Sequence, residues 1–378
     1  MLFGDFGKYI AMIVGIAFAT LIMIQQPSIF VGLLTRTYTF INDIGIADIW
    51  VMDPGVQFVE EGKPIRDTDL GKVRGIPGVL WAAPLFKGLL SAKLPNGERK
   101  TIDLTGIDDT TFIGFPPHMI EGSLSDLKKP WAVFMDFEAA QGRLKMTIPG
   151  QKDKQMLKIG DTLEVNDQRA VIQGFCKSTR NFVLQPKVYT TYSRAISYMP
   201  SSRRYLTYIL VKTKPDVDQH YICQLIQERT KLKAFTSEDF KSQNLWYWLK
   251  NTGIPISFGI SVLLGFLVGS AIVGQTFYTF ILENIKKYAA LKAMGLQNMI
   301  LTKMVLLQAM VVGTIGYGLG TLLATLFGLK FHDSVLAFRM PPILLVFSAT
   351  GILIIITITS LLSIRKVVKI DPAVVFRG

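Results

Sequence analysis

The sequence predicts an α-helical membrane protein with four transmembrane helices and a large extracytoplasmic α/β domain. Four stretches carry no Asp, Glu, Lys or Arg, and each is long enough to cross a bilayer, which takes about 20 apolar residues. They lie between Lys8 and Arg36, Lys250 and Glu283, Lys303 and Lys330, and Arg339 and Arg365. The mean hydropathy of +0.35 is therefore concentrated in spans rather than spread over a soluble core. Between the first two spans, residues 36–250 alternate strand-like and helix-like patterns, which predicts the folded domain.

Charge sets the expected topology. The net charge of +13 on 378 residues does not point to nucleic acid, because residues 36–250 hold 30 basic and 24 acidic side chains, a mixed surface. The two ends and the 283–303 loop hold nine basic and three acidic residues. By the positive-inside rule, both termini and this loop belong in the cytoplasm, and residues 36–250 and the short 330–342 loop belong outside. The first span exceeds a signal-peptide core and no A-x-A site follows it, so it reads as an uncleaved anchor.

Residues 1–42 comprise the N-terminus, the first span and a stalk. Pro27 predicts a kink, and the helical pattern continues through Tyr38, Phe40 and Ile41. The extracytoplasmic domain covers 43–235. Its pattern gives a strand at 47–52, a helix at 67–74 and a strand at 79–86. A hairpin of 89–94 and 99–104 turns at Asn96-Gly97, which accept positive φ. A second hairpin crosses Asn166-Asp167, joining 162–165 to 170–175. A strand at 205–212, a helix at 218–231 and a strand at 232–235 follow. Strand-helix-strand order at both ends suits two halves of one sheet with helices on one side. This is a split βαβ arrangement with a hairpin-rich insert at about 87–200.

Thr236 and the acids Glu238 and Asp239 signal a helix start, opening a stalk helix and second span over 236–282. Trp246, Tyr247 and Trp248 fit an interfacial aromatic belt, and Gly253 with Pro255 mark a hinge. Gly265 and Gly269 in span two, and Gly316 and Gly320 in span three (304–329), form GxxxG pairs suited to close helix packing. Span four covers 343–364. In the cytoplasmic tail, 365–378, Asp371-Pro372 starts a short helix.

The 283–303 segment is a coupling loop built on a short basic helix. Ile285, Tyr288, Leu291 and Met294 recur every three residues as an apolar stripe, Lys286, Lys287 and Lys292 lie off it, and Gly295 supplies the stop. Such a loop either fixes orientation only, or acts as a lever whose ridge meets a soluble partner. No catalytic motif is present: there is no G-x-x-x-x-G-K-[ST], H-E-x-x-H or G-x-S-x-G. His118, His220 and His332 are isolated, Asp108-Asp109 reads as a solvated turn rather than a cation site, and Cys176 and Cys223 read as buried free thiols. The spans also lack the ionisable groups of ion-coupled pumps, so the energy for any transport must come from another chain.

Tyr288-Ala-Ala-Leu-Lys-Ala-Met-Gly295, placed between spans two and three, resembles the cytoplasmic loop of MacB/FtsX-like ABC transporter permeases of the mechanotransmission class (type VII), nearest to the DevC/HrtB branch. Gly15-Ile-Ala-Phe-Ala19 with Met23 and Gln25 resembles that branch's first span, and Ile370-Asp-Pro372 with Phe376-Arg377 resembles its ending. The resemblance covers the whole chain. It implies a homodimer in the bacterial inner membrane, bound to two copies of a separate ATPase subunit that holds ATP and Mg. This chain then has no cofactor, metal or catalytic residue of its own, and its external domain is porter-like. Ile285, Tyr288, Leu291, Lys292, Met294 and Gly295 would contact the ATPase. Apolar residues of spans one and two would line a dimer interface or a crevice open to membrane lipid. The implied function is export of an amphipathic substrate (lipid, haem, peptide or drug), with a periplasmic membrane-fusion adaptor as a further partner. The alternative is an FtsX-like transmitter that activates a periplasmic cell-wall hydrolase. A sensor without an ATPase fits less well, because nothing cytoplasmic is large enough to be an output domain.

Overall fold

The computed structural model of the chain describes residues 6–146, 154–200, 205–331 and 336–368. They form two compact units, Leu34–Asn251 and Met1–Leu33 with Thr252–Gly378.

Helix α1 (Phe6–Arg36) opens the chain and runs unbroken through Pro27. It stops at Arg36 instead of continuing through Ile41. The Thr37 hydroxyl donates to Leu34 O at 2.6 Å, and α2 (Thr39–Ile44) is a separate turn closed by Gly45 at φ +52°. A hydroxyl that competes for helix carbonyls favours such an end.

The two expected halves of the 34–251 unit are β1 (Ile49–Met52), α3 (Asp67–Arg74) and β2 (Val79–Lys93), then β9 (Tyr208–Thr213), α6 (Gln219–Thr230) and β10 (Lys233–Thr236). Their strands lie in the order β10-β1-β9-β2, every neighbour antiparallel. Alternation along β1 separates two cores. Ile49 and Val51 join Val73, Ile222 and Ile226 under α3 and α6. Trp50 faces the other way, within 6.0 Å of the rings of Phe40, Tyr208 and Phe240.

The two strands expected in 79–94 are one. β2 changes partner along its length, pairing with β9 over Val79–Leu85 and with β3 (Arg99–Ile107) over Phe86–Lys93. Lys87 sits at the changeover without breaking the ladder, because Asp103 Oδ2 meets its ammonium at 2.5 Å and both side chains are buried. Beyond β3 come β4 (His118–Glu121), β5 (Ala132–Asp136) with α4 (Phe137–Gln141), β6 (Thr162–Val165), β7 (Gln168–Lys177) and β8 (Lys187–Thr191) with α5 (Tyr192–Ser197). The sheet continues in the order β3-β8-β5-β7-β4. The β6–β7 hairpin turns on Asn166 and Asp167 at φ +46° and +64°. Strands β5 and β8 are buried on both faces, so they lack the alternation that would have announced them.

Helix α7 (Ser237–Asn251) starts as expected, with the Asp239 N–H donating to Thr236 Oγ1 and the Thr236 hydroxyl donating to Asp239. The aromatic belt divides. Tyr247 stacks on Phe58 at 4.7 Å and Trp248 packs on Phe182 at 4.1 Å, leaving Trp246 exposed. Cys176 and Cys223 are free and buried in the cores on opposite faces of the sheet.

The other unit contains α1 together with α8 (Ile254–Glu283), α9 (Ile285–Ala293), α10 (Asn298–Lys330) and α11 (Pro342–Val368). Helices α1, α8, α10 and α11 are each long and apolar enough to cross a membrane, and α1 is the most enclosed of the four. Its surroundings explain the glycine spacing. A Cβ built at Gly265 would stand 2.5 Å from Ile22, and one at Gly316 would stand 2.7 Å from Ile16. Gly269 abuts Ala19, and Gly320 abuts Thr20. Both GxxxG pairs thus face α1. The helix start expected at Asp371-Pro372, the ending at Phe376-Arg377, and His332 lie outside the described residues.

Candidate functional site

The link from α8 to α10 is built tightly. Asn284 is buried at the junction. Its amide donates to Phe280 O at 2.9 Å and its carbonyl oxygen accepts from Lys287 Nζ at 2.9 Å. Helix α9 then closes in a Schellman motif. The Leu296 N–H donates to Leu291 O and the Gly295 N–H donates to Lys292 O, with Gly295 at φ +92°. Leu291 and Leu296, the pair that motif brings together, both pack on the membrane-unit core.

The apolar stripe does not form an outward ridge. Tyr288 is 0% exposed, and its phenol donates to Gln308 Oε1 on α10 at 3.1 Å. Ile285 and Leu291 pack against the same core, so three of the four stripe residues face inward. The reason is plain: a short helix between two apolar spans lays its greasy side on them first. Met294, the cap residue, is the exception at 71% exposed. It is joined by Met299 (68% exposed) and Ile300 on the first turn of α10. Lys286, Lys287 and Gly295 are exposed and Lys292 is half-buried.

Sequence reasoning missed Met299, Ile300 and Gln308. The first two look like the start of a span. Gln308 could have been found as a lone amide in a charge-free stretch one helix away from a tyrosine. Upstream, α7 ends at Asn251 and α8 begins at Ile254, with Gly253 as its N-cap and Pro255 in its first turn.

In the 34–251 unit, charge concentrates around Lys87 and Asp103. The Asn181 amide donates to Asp103 Oδ2 at 3.2 Å, and Lys187 lies 3.4 Å from Asp43. Neither carboxylate oxygen of Glu60 has a hydrogen-bond partner, although both are buried. Burial lifts the Glu60 pKa to about 7, against the pull of Lys87 and with the push of Asp103. Asp108 accepts from the Thr111 N–H at 2.8 Å and its hydroxyl at 2.7 Å, and Asp109 from the Ser193 hydroxyl at 2.8 Å. Both are turn and cap ligands. Among the described residues no cluster of His, Cys, Asp and Glu could hold a metal ion.

Comparison with known proteins gives a family. The profile of the MacB-like periplasmic core domain matches residues 9–227, more than half of the chain, and that of the FtsX-like permease C-terminal matches residues 259–372. No protein of curated function matches the chain. Similar solved structures include the extracellular domain of the noncanonic ABC-type transporter YknZ from Gram-positive bacteria. It is 13% identical with a TM-score of 0.35, over 50% of this chain and 98% of that one. The periplasmic region of MacB from Actinobacillus actinomycetemcomitans is 15% identical with a TM-score of 0.38, over 53% and 94%. A domain of a putative permease from Porphyromonas gingivalis is 15% identical with a TM-score of 0.33, over 50% and 88%. The two family profiles, meeting the chain in the order head then spans, establish that it belongs to the MacB/FtsX-like permeases of ABC transporters.

Proposed function

We propose that this chain is the membrane subunit of an inner-membrane ABC exporter for an amphipathic substrate, and that it converts ATP hydrolysis by a separate subunit into movement of its extracytoplasmic head. The reading has the termini and the 283–303 loop in the cytoplasm, two copies of the chain, two ATPase subunits and a periplasmic adaptor. Gly253 and Pro255 act as the hinge.

The observation that carries it is the two-sidedness of α9. Ile285, Tyr288 and Leu291 anchor it to the spans, while Lys286, Lys287 and the cap residue Met294 are exposed, as are Met299 and Ile300 on the first turn of α10. Force applied to the exposed side has a stiff path into α8 and α10. An isolated methionine on a surface needs no explanation, but three exposed apolar side chains close in sequence, spanning the turn from α9 into α10, suit a partner's groove. In this reading the ATPase contact is made by Met294, Gly295 and Lys292 with Met299 and Ile300. Ile285, Tyr288 and Leu291 transmit the force.

Co-expression of the tagged chain with its cognate ATPase tests this. The wild type should retain the ATPase on an affinity column, and Met294→Asp with Met299→Asp should lose it while still inserting in the membrane. Undiminished retention by that double variant defeats the proposal.

A further inference from the structure

A notch of about 380 Å³ opens on the 34–251 unit between the 54–57 turn and the last two turns of α7. Gln57, Lys233, Gln243, Trp246, Tyr247 and Lys250 contribute to its wall, and no Asp or Glu does. Its two ammonium groups are held by aromatic faces rather than by carboxylates. Lys250 Nζ lies 5.3 Å from the centre of the Trp246 ring, and Lys233 Nζ lies 4.7 Å from that of Phe235. Lys233 also donates to Val56 O at 3.3 Å, and among the described residues neither lysine has a carboxylate within ion-pair range. The nearby acid, Glu61, is engaged by Lys63 at 3.1 Å and accepts from the Gln57 N–H at 2.9 Å. Burial holds the Lys233 ammonium below its ordinary range, with Glu61 acting in the opposite direction. An anion entering the notch would relieve that cost.

Chain connectivity limits what the anion can be. Three residues separate Lys250 from Ile254, the first residue of an apolar span, and at about 3.6 Å per step the four steps between them reach no farther than about 14 Å. The headgroup region lies within that reach of the hydrocarbon. Trp246 is 57% exposed at the rim, the side chain that most favours this layer. A nucleotide or an acidic peptide would use the two cations but would leave the aromatic rim and its place in the chain without a role.

We propose that this notch binds the phosphate headgroup of an anionic phospholipid of the outer leaflet, with Lys233 and Lys250 on the phosphate and Trp246 against the glycerol backbone. The Gln243 amide, which donates to Gln57 O at 2.9 Å, holds the 54–57 turn that forms the opposite wall. The lipid tails remain in the bilayer, so a small notch suffices. This inference depends on α8 being a membrane span and on the proposed orientation that puts residues 34–251 outside the cytoplasm, and it is independent of the export reading.

Native mass spectrometry of the full-length protein in neutral detergent tests it, with phosphatidylglycerol, phosphatidylcholine and inorganic phosphate added separately. Phosphatidylglycerol should be retained in preference to phosphatidylcholine. Lys233→Gln with Lys250→Gln should weaken that retention about tenfold or more, while Lys154→Gln with Lys158→Gln, exposed lysines elsewhere, should leave it unchanged. Phosphatidylglycerol brominated near the carbonyl end of its acyl chains should quench tryptophan fluorescence, and Trp246→Phe should remove most of that quenching. The single surface variant Lys250→Glu, which spares the half-buried Lys233, should also lower retention. Equal retention of both lipids, equal loss in the control pair, quenching that survives Trp246→Phe, or competition by inorganic phosphate as effective as by lipid would each overturn the assignment.

Discussion

The phenol of Tyr288 and the side-chain carbonyl of Gln308 meet at 3.1 Å and tie α9 to α10, on the side of α9 turned away from solvent. Its replacement separates the anchoring role from a docking role. Tyr288→Phe removes one hydrogen bond and should cost about 1 kcal/mol. Tyr288→Ala also empties a fully enclosed aromatic site and should cost about 3–5 kcal/mol. Met294→Ala, at an exposed cap, should stay within about 0.5 kcal/mol. Thermal unfolding of the full chain in detergent ranks the three. A Met294→Ala variant less stable than Tyr288→Phe would mean that the helix is held by its outer side.

Glycines in α10 make a matched pair for testing helix packing. A Cβ at Gly316 would press on Ile16 and on the backbone of α1, whereas one at Gly318 meets nothing within 4 Å. Gly316→Ala should therefore destabilise by about 1–3 kcal/mol through overpacking. Gly318→Ala should be neutral, or stabilise by up to about 1 kcal/mol through helix propensity alone. Opposite signs in a detergent unfolding experiment are expected. If both variants stabilise, the contact of α10 with α1 is looser than the spacing suggests.

What was legible in the sequence follows from which signals survive without tertiary context. The spans were legible because charge is absent from them, α3 and α6 because apolar periodicity reports a half-buried helix, and β1 because Ile49, Trp50 and Val51 are β-branched or aromatic, although it too is buried on both faces. Asn166-Asp167 gave its hairpin because few residues accept positive φ. β5 and β8 were missed, since a strand buried on both faces has no period to read. The break placed after residue 86 was wrong because Lys87 looks like a surface residue until Asp103, 16 positions on, is known to neutralise it. In the 283–303 loop the stripe of Ile285, Tyr288 and Leu291 was legible but its direction was not. An amphipathic period says that a face is buried, and not whether the chain's own spans or a partner buries it.

The Lys87–Asp103 pair should behave as a buried charge pair does. Lys87→Met leaves Asp103 enclosed with only the Asn181 amide for compensation and should destabilise the head by about 3–5 kcal/mol. Lys87→Met combined with Asp103→Leu should recover most of that loss, because neither charge is then stranded. Limited proteolysis of the head in the full chain, followed against denaturant, measures both. A double variant as damaged as the single one would show that the pair contributes more than mutual neutralisation.

Glu60 makes the stability of the head pH-dependent, in a direction opposite to that of most carboxylates. Its buried oxygens have no hydrogen-bond partner, and they feel Lys87 on β2, Asp103 on β3 and Lys187 on β8. Burial dominates, and the folded-state pKa rises from 4.5 to about 7. The folded head thus binds a proton over a range where the unfolded chain has released it, so this group's contribution to stability is complete below pH 4.5 and is lost as pH rises to about 7. The shift corresponds to about 3 kcal/mol between the two limits. Glu60→Gln keeps the shape and removes the ionisation. The wild-type head should therefore lose stability between pH 5 and pH 7.5 relative to Glu60→Gln, and the variant should be the more stable of the two at pH 8. Parallel stability curves for the two proteins over that range would place the Glu60 carboxylate in contact with water or with Lys87 rather than in the dry core.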